Sequence, residues 1–201
     1  MNFQSKDLSR RNFLKGSVIV AGASVIGLET FLNTTKVAAF AGPDIDILNY
    51  ALTLEHLEYA FYRDGLNKFS TFAGSMAVPR GYLEAIRDHE KTHVDTLISV
   101  ISGAGGTPVA EAKYSFGYTD PASFLKVAQA LENTGVMAYT GVIAAFQDAS
   151  LRTAASTIAT VEARHASYLN LVNGGSPFPA AFDTPKSIEQ ILQIAGPFIV
   201  K

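Results

Sequence analysis

Four stretches of this chain carry apolar residues at alternating steps of three and four, and each stripe is interrupted near its middle by glutamate or by Glu-x-x-His. The first reads Leu48, Leu52, Glu55, Tyr59, Tyr62, and the second Leu83, Ile86, Glu90, His93, Leu97, Val100. The third reads Leu125, Ala128, Glu132, Gly135, Tyr139, Val142, Phe146, and the fourth Leu151, Ala155, Ile158, Glu162, His165, Leu169, Val172. Steps of three and four are the helical period, so each stripe is a face that a helix buries. Nothing else charged lies on any of them. Burying a carboxylate without a partner is costly, and four facing one another would be worse. Four glutamates and two histidines in mid-helix therefore need a shared counter-charge, which two di- or trivalent metal ions would supply. Because i and i+3 share a helical face, each Glu-x-x-His can present an oxygen and an imidazole nitrogen together.

The two halves repeat one another. Glu55 precedes Tyr62 and Glu132 precedes Tyr139, each by seven residues, and a Glu-x-x-His follows each lone glutamate, 35 residues later in the first half and 30 in the second. Helices are expected over 43–68, 80–102, 121–147 and 151–172, with a short fifth over 187–195. Pro43 suits a first helical turn, Asp44 and Asp46 suit the positive end of the helix dipole, and Asp120-Pro121 is an N-cap followed by proline. Gly103-Ala104-Gly105-Gly106 and Asn173-Gly174-Gly175 are stop signals. No alternating run is long enough to predict a sheet of any size. The first and third connections are short, as antiparallel neighbours require, whereas residues 103–119 form a 17-residue link. Such a link can reach over ~50 Å, beyond the roughly 35 Å length of these helices. The expected fold is an all-α four-helix bundle with one long crossover.

Composition narrows the chemistry. With 48% apolar and 17% charged residues the chain is not disordered, and 201 residues can bury a sizeable core. The lack of cysteine removes disulfides, thiol nucleophiles, iron–sulfur clusters and thiolate zinc sites, leaving oxygen and imidazole nitrogen as the main ligands. A net charge of −2 argues against nucleic acid as a partner. That total hides a division, since residues 1–41 carry +3 and residues 42–201 carry −5. In the front segment, Ser9-Arg10-Arg11-Asn12-Phe13-Leu14-Lys15 precedes the apolar run Gly16 to Leu28 and the small-residue site Ala39-Phe40-Ala41. This order is that of a cleavable targeting peptide, and the apolar run falls short of the ~20 residues that span a bilayer. The segment resembles a twin-arginine (Tat) signal. The resemblance implies export of a folded protein to the periplasm or another extracytoplasmic space, with Gly42 as first mature residue and no stable membrane span after cleavage.

Residues 43–200 resemble the ferritin-like superfamily, in particular bacterial ferritin-like and desiccation-related proteins. The match is strongest in Leu48-Asn49-Tyr50-Ala51-Leu52-Thr53-Leu54-Glu55-His56-Leu57-Glu58-Tyr59-Ala60-Phe61-Tyr62, and the tail Phe182-Asp183-Thr184-Pro185 with Ile188 to Ile199 is similar to the family's end. The resemblance implies a ferritin-like bundle whose metal ligands are Glu55, Glu90, His93, Glu132, Glu162 and His165. Glu90 and Glu162 would bridge the ions, Glu55 and Glu132 would be terminal ligands, and each histidine would cap one ion. Two iron ions, two manganese ions or a mixed pair suit such ligands. The expected function is redox chemistry with O₂ or H₂O₂ of ferroxidase, peroxidase or catalase type, in oxidative stress or metal handling, and a homo-oligomer is allowed. The alternative is a non-catalytic protein of stress or desiccation protection with a structural or vestigial metal site. Iron storage in a shell is a weaker third reading.

Around the six residues, Tyr62 and Tyr139 are expected either as plain core tyrosines or as supports for the ligands. Glu58, about 60° around the helix from Glu55, is read as a solvated or interhelical acid, with an outer ligand as the sharper alternative. His56 and His89 are read as surface or interhelical histidines. Gly135 serves either close helix packing or space over the metals, and Tyr114, Phe116 and Tyr118 would anchor the crossover.

Overall fold

In the computed structural model, which describes residues 42–73 and 77–200, the four interrupted stripes become four long helices. The expected export signal over 1–41 lies outside the described residues. Helix α1 spans Gly42–Lys68, α2 Arg80–Gly103, α3 Pro121–Val142 and α4 Ala149–Val172, and the short α5 spans Ile188–Ala195. A two-stranded ribbon, β1 Phe72–Ala73 and β2 Ala77–Val78, closes the α1–α2 link. No described helix is long and apolar enough to cross a membrane.

Side-chain partners give the helix directions. His93 meets Glu55 while Arg80 meets Leu66, so α1 and α2 are antiparallel. Glu132 meets His165 while Leu125 meets Asn173, which makes α3 and α4 antiparallel. Tyr62 meets Glu132 and Tyr139 meets Glu55, so α1 and α3 also run in opposite senses. Thus α1 and α4 point one way, α2 and α3 the other. The crossover must then return from the end of α2 to the far end of the bundle. It does so along α1: Thr107 and Val109 bond Asn49, Val109 also meets His56, Glu111 pairs with Arg63, and Tyr118 meets Lys68. Phe116 and Tyr118 pack against Phe61, whose ring stacks on Phe124 of α3 at 4.5 Å. These contacts anchor the crossover. The tail beyond α5 also holds it, through Ser115 to Phe198 and Val200 to Lys113.

Local chemistry sets the boundaries. Asp120 caps α3 by accepting from the Ser123 amide, with Ser123 returning the bond, and Pro121 occupies the first turn. Asp148 accepts from the amides of Ser150 and Leu151 at the start of α4, and Ser187 and Gln190 form a capping box on α5. One boundary differs from expectation. Helix α3 ends at Val142, and residues Ile143–Ala145 form a 3₁₀ turn where the stripe predicted helix to 147. The physical reason is competition for the backbone groups that continued helix would use. The buried Asp44 carboxylate accepts from the amides of Gln147 and Asp148, while Arg152 donates to the carbonyls of Phe146 and Gln147.

Candidate metal centre

The four helices bring all six stripe residues to one place in the middle of the bundle. Glu55, Glu90, Glu132 and Glu162 have no exposed surface, and His93 and His165 are buried. Their ligand atoms form two groups, each within 4.8 Å: Glu55, Glu90, His93 and Glu162 in one, Glu90, Glu132, Glu162 and His165 in the other. Glu90 and Glu162 belong to both. The Nδ1 of His93 lies 3.1 Å from Glu55 Oε2, 3.1 Å from Glu90 Oε2 and 3.3 Å from Glu162 Oε1. The Nδ1 of His165 lies 3.1 Å from Glu90 Oε1 and 3.1 Å from Glu132 Oε2. Glu90 therefore divides its two oxygens between the two histidines, as a bridging carboxylate would between two ions.

Two tyrosines hold the terminal carboxylates crosswise. Tyr62 of α1 donates to Glu132 Oε1 of α3 at 2.5 Å, and Tyr139 of α3 donates to Glu55 Oε1 of α1. Each terminal glutamate thus turns one oxygen to a phenol and the other to a histidine. The heptad spacing in both halves is what permits this exchange, because it places each phenol two turns beyond its own glutamate and opposite the other.

The electrostatics describe a crowded acidic pocket. Burial, then the negative charges of Glu90 and Glu132, push the Glu162 carboxyl well above the usual range. Burial also raises Glu90, although His165 and His93 oppose it. For Glu55 burial works against ionisation, but His93 and the Tyr139 hydroxyl outweigh it, and the pKa falls. Burial lowers both histidines, yet the surrounding carboxylates win: His165 is pushed up to about 11, and His93 rises well above its ordinary value. Burial and the adjacent carboxylates raise Tyr62 and Tyr139 far up, so both remain phenols that donate.

Fit to metal ions can be tested on the oxygens themselves. Glu90 Oε1 and both oxygens of Glu162 are buried and make no hydrogen bond. Glu90 Oε1 and Glu162 Oε1 have only ion-pair contacts to the two histidines, and Glu162 Oε2 has no polar partner among the described residues. Buried acceptors are ordinarily satisfied, so carboxylate oxygens left this way between two inward-turned imidazoles suit a cation. The donor set is oxygen and nitrogen, compatible with iron or manganese.

Three neighbours take one side of their sequence readings. Glu58 is 3% exposed and lies against α3 at Gly135, an interhelical acid rather than a solvated one. Burial first, then Glu162 and the other three glutamates, raises its carboxyl well above the usual range. It lies beside Gly135, where an added Cβ would stand 3.0 Å from Glu162 Oε2 and 3.2 Å from Glu58 Oε1. Gly135 thus leaves room for two carboxylates. A cleft with space for about one water, bounded by Glu58, Thr134, Gly135 and Ala195 of α5, adjoins them. His89 is exposed but is not a bystander, since its Nδ1 lies 2.9 Å from Nε2 of His165. His56 is interhelical in kind: it is buried and turned to the crossover, with Nε2 3.2 Å from the Val109 carbonyl. A separate groove of about 450 Å³ on α3 and α4, lined in part by Lys126, Gln129, Asn133 and Asn170, holds none of the six residues.

Comparison with known proteins agrees with this architecture. Residues 43–175 match the model of a family described as ferritin-like domain. Protein rds1 of Schizosaccharomyces pombe is 26% identical over 181 residues, covering 87% of this chain and 44% of that protein. The chain therefore spans less than half the length of this curated relative. Among solved structures, the crystal structure of a conserved hypothetical protein, rv2844, from Mycobacterium tuberculosis is 29% identical. The superposition has a TM-score of 0.52 and covers 70% of this chain and 96% of the other.

Proposed function

This chain belongs to the ferritin-like domain family, and on that premise we propose that it is an exported dimetal-carboxylate protein working on O₂ or H₂O₂. The observation that carries the reading is the pair Glu90 and Glu162, shared by both four-residue groups and fully buried, with both histidine Nδ1 atoms turned to their oxygens and Glu162 Oε2 left without a polar partner among the described residues. Glu55, Glu90, His93, Glu132, Glu162 and His165 would hold two iron ions, two manganese ions or one of each. When bound, such ions supply the electron transfer of ferroxidase, peroxidase or catalase-like chemistry.

The protein's own residues then do four things. Glu90 spreads its oxygens toward both sides of the site, and the two histidines present Nδ1 inward. Tyr62 and Tyr139 keep their protons and fix the terminal carboxylates through Oε1, leaving Oε2 of each for an ion. Leu52, Phe61, Leu83, Leu125 and Leu169, all fully buried in the bundle core, help to exclude bulk water. The cleft at Gly135 and Glu58 is the size of a small molecule such as O₂ or water. Export is supported by the Arg10-Arg11 motif with its apolar run.

One observation favours a second reading. Glu55–His93 and Glu132–His165 pair directly, so the same residues could tie the helices together in a protective protein with a structural metal site. Metal analysis of protein produced with its native metal decides first: about two ions per chain are expected, and fewer than about one would sink the dimetal centre. Glu90→Ala and His165→Ala should abolish loading. Fe(II) with O₂ or peroxide added to metal-free protein then separates the readings, because unaccelerated oxidation would favour the protective role.

A further inference from the structure

The six ligand candidates and both tyrosines obey the internal two-fold, but the neighbour His89 does not. His89 precedes Glu90 in α2, and the residue in the same position before Glu162 in α4 is Val161. Valine has no group that could bond a histidine. His165 therefore has a partner on its far side: its Nε2 lies 2.9 Å from Nδ1 of His89, and the two ring planes are only 12° apart, so the shared hydrogen lies close to both planes. Among the described residues, by contrast, His93 meets its carboxylate partners through Nδ1.

A histidine that binds a metal through Nδ1 keeps its hydrogen on Nε2. The group that accepts that hydrogen fixes both the tautomer and the plane of the ring. With Nδ1 of His165 turned to Glu90 and Glu132, its Nε2–H has His89 Nδ1 as acceptor. Resting on the dimetal reading above, we propose that His89 is a positioning residue for the ion held by His165. It makes that ion's site the tighter of the two, so that the two metals load in sequence rather than together. His89 touches neither ion in this arrangement and acts only through His165.

The test is a titration of the metal-free full chain with Co(II) against a chromophoric chelator. Wild-type protein should show two unequal dissociation constants. His89→Ala should weaken the tighter site about 10- to 100-fold and leave the other within about twofold. His89→Phe, which keeps a ring but removes the acceptor, should behave as alanine does. His89→Asn, whose Oδ1 can stand in for Nδ1, should restore most of the loss. Anomalous scattering from His89→Ala crystals grown at limiting metal should show the ion missing beside His165 and retained beside His93. The proposal is overturned by unchanged constants in the alanine variant, by equal weakening of both sites, or by an asparagine variant no better than alanine. A wild-type chain that binds fewer than two ions would overturn the dimetal reading itself, an outcome distinct from any of these.

Discussion

Replacing Gly135 with alanine should separate fold stability from metal affinity. Glycine inside a helix costs about 1 kcal/mol relative to alanine, so on propensity alone Gly135→Ala stabilises α3. Against this stands the new methyl, 3.0 Å from Glu162 Oε2 and 3.2 Å from Glu58 Oε1. Overfilling a core costs typically about 1–3 kcal/mol. Here the atoms that must retreat are the ends of two flexible side chains, by a few tenths of an ångström, so the low end of that range applies. The opposing effects nearly cancel, and the metal-free variant should unfold within about 1 kcal/mol of wild type, a Tm difference of about 4 °C at most. Metal binding should not escape. Glu162 belongs to both candidate ligand groups, so moving its Oε2 would disturb both candidate sites, and affinity should drop by about 10- to 100-fold. Urea unfolding of chelator-treated protein measures the first quantity, and competition with a chelator the second. Wild-type affinity in the variant would show that Gly135 does not set the position of Glu162. A loss of more than about 3 kcal/mol in the metal-free form would show that glycine is there for helix packing instead.

Other consequences follow from single contacts. Tyr139→Phe removes the donor to Glu55 and Tyr62→Phe the donor to Glu132; each should cost about 1.5–3 kcal/mol in urea unfolding, and no loss in either would mean that the phenols are packing groups only. Asp44→Ala strips the amides of Gln147 and Asp148 of a buried acceptor, and should cost about 1–3 kcal/mol by the same measurement. The pH dependence has a definite sign. His165, raised from 6.5 to about 11, and His93, raised in the same direction, stabilise the metal-free fold fully below their ordinary pKa. That contribution is lost as pH climbs through their folded values. Glu55 is lowered, so its contribution is present above the ordinary carboxylate pKa and lost as pH falls through its folded value. Ions that bind at Nδ1 must displace the histidine protons, and the raised Glu162 carboxyl must ionise as well, so loading at neutral pH should release at least about two protons per chain and tighten as pH rises. An indicator dye in weak buffer measures the release, and loading without it would contradict the protonation described for this site.

The convergence of these six residues was legible in the sequence because each is a polar group on an otherwise apolar stripe, and a stripe needs no knowledge of its neighbours. Glu58 was not legible in this way. It lies off the stripe of α1, and a helix with one buried face would leave it wet. Helix α1 is buried more widely than that: Leu54, Leu57 and Phe61 are buried as well as Leu48, Leu52, Glu55 and Tyr62 of the stripe, since the crossover runs along this helix and Ala195 of α5 closes the cleft beside Glu58. No periodicity in α1 announces a covering supplied by residues 50 or more positions away. The two-residue ribbon and the early end of α3 escaped for a related reason. The first is too short to have a period, and the second depends on Asp44 and Arg152 reaching in from other helices.

The repeat itself shows where the two halves part. Aligning Glu55 with Glu132 places Glu58 opposite Gly135, and the structure sets these two positions against each other, with the Glu58 carboxylate in the space a side chain at 135 would fill. An extra buried acid on one half is accommodated because the other half has no Cβ there. A carboxyl on both would crowd Glu162 beyond what the bundle could hold, given how strongly burial and its neighbours already disfavour ionisation of Glu58. The same comparison sets His89 against Val161. Both departures therefore add a polar side chain from the first half, on α1 and α2, to a site whose ligands are otherwise matched. Any difference between the two candidate ion sites would arise in part from such neighbours, because the candidate ligands themselves are equivalent in kind and number.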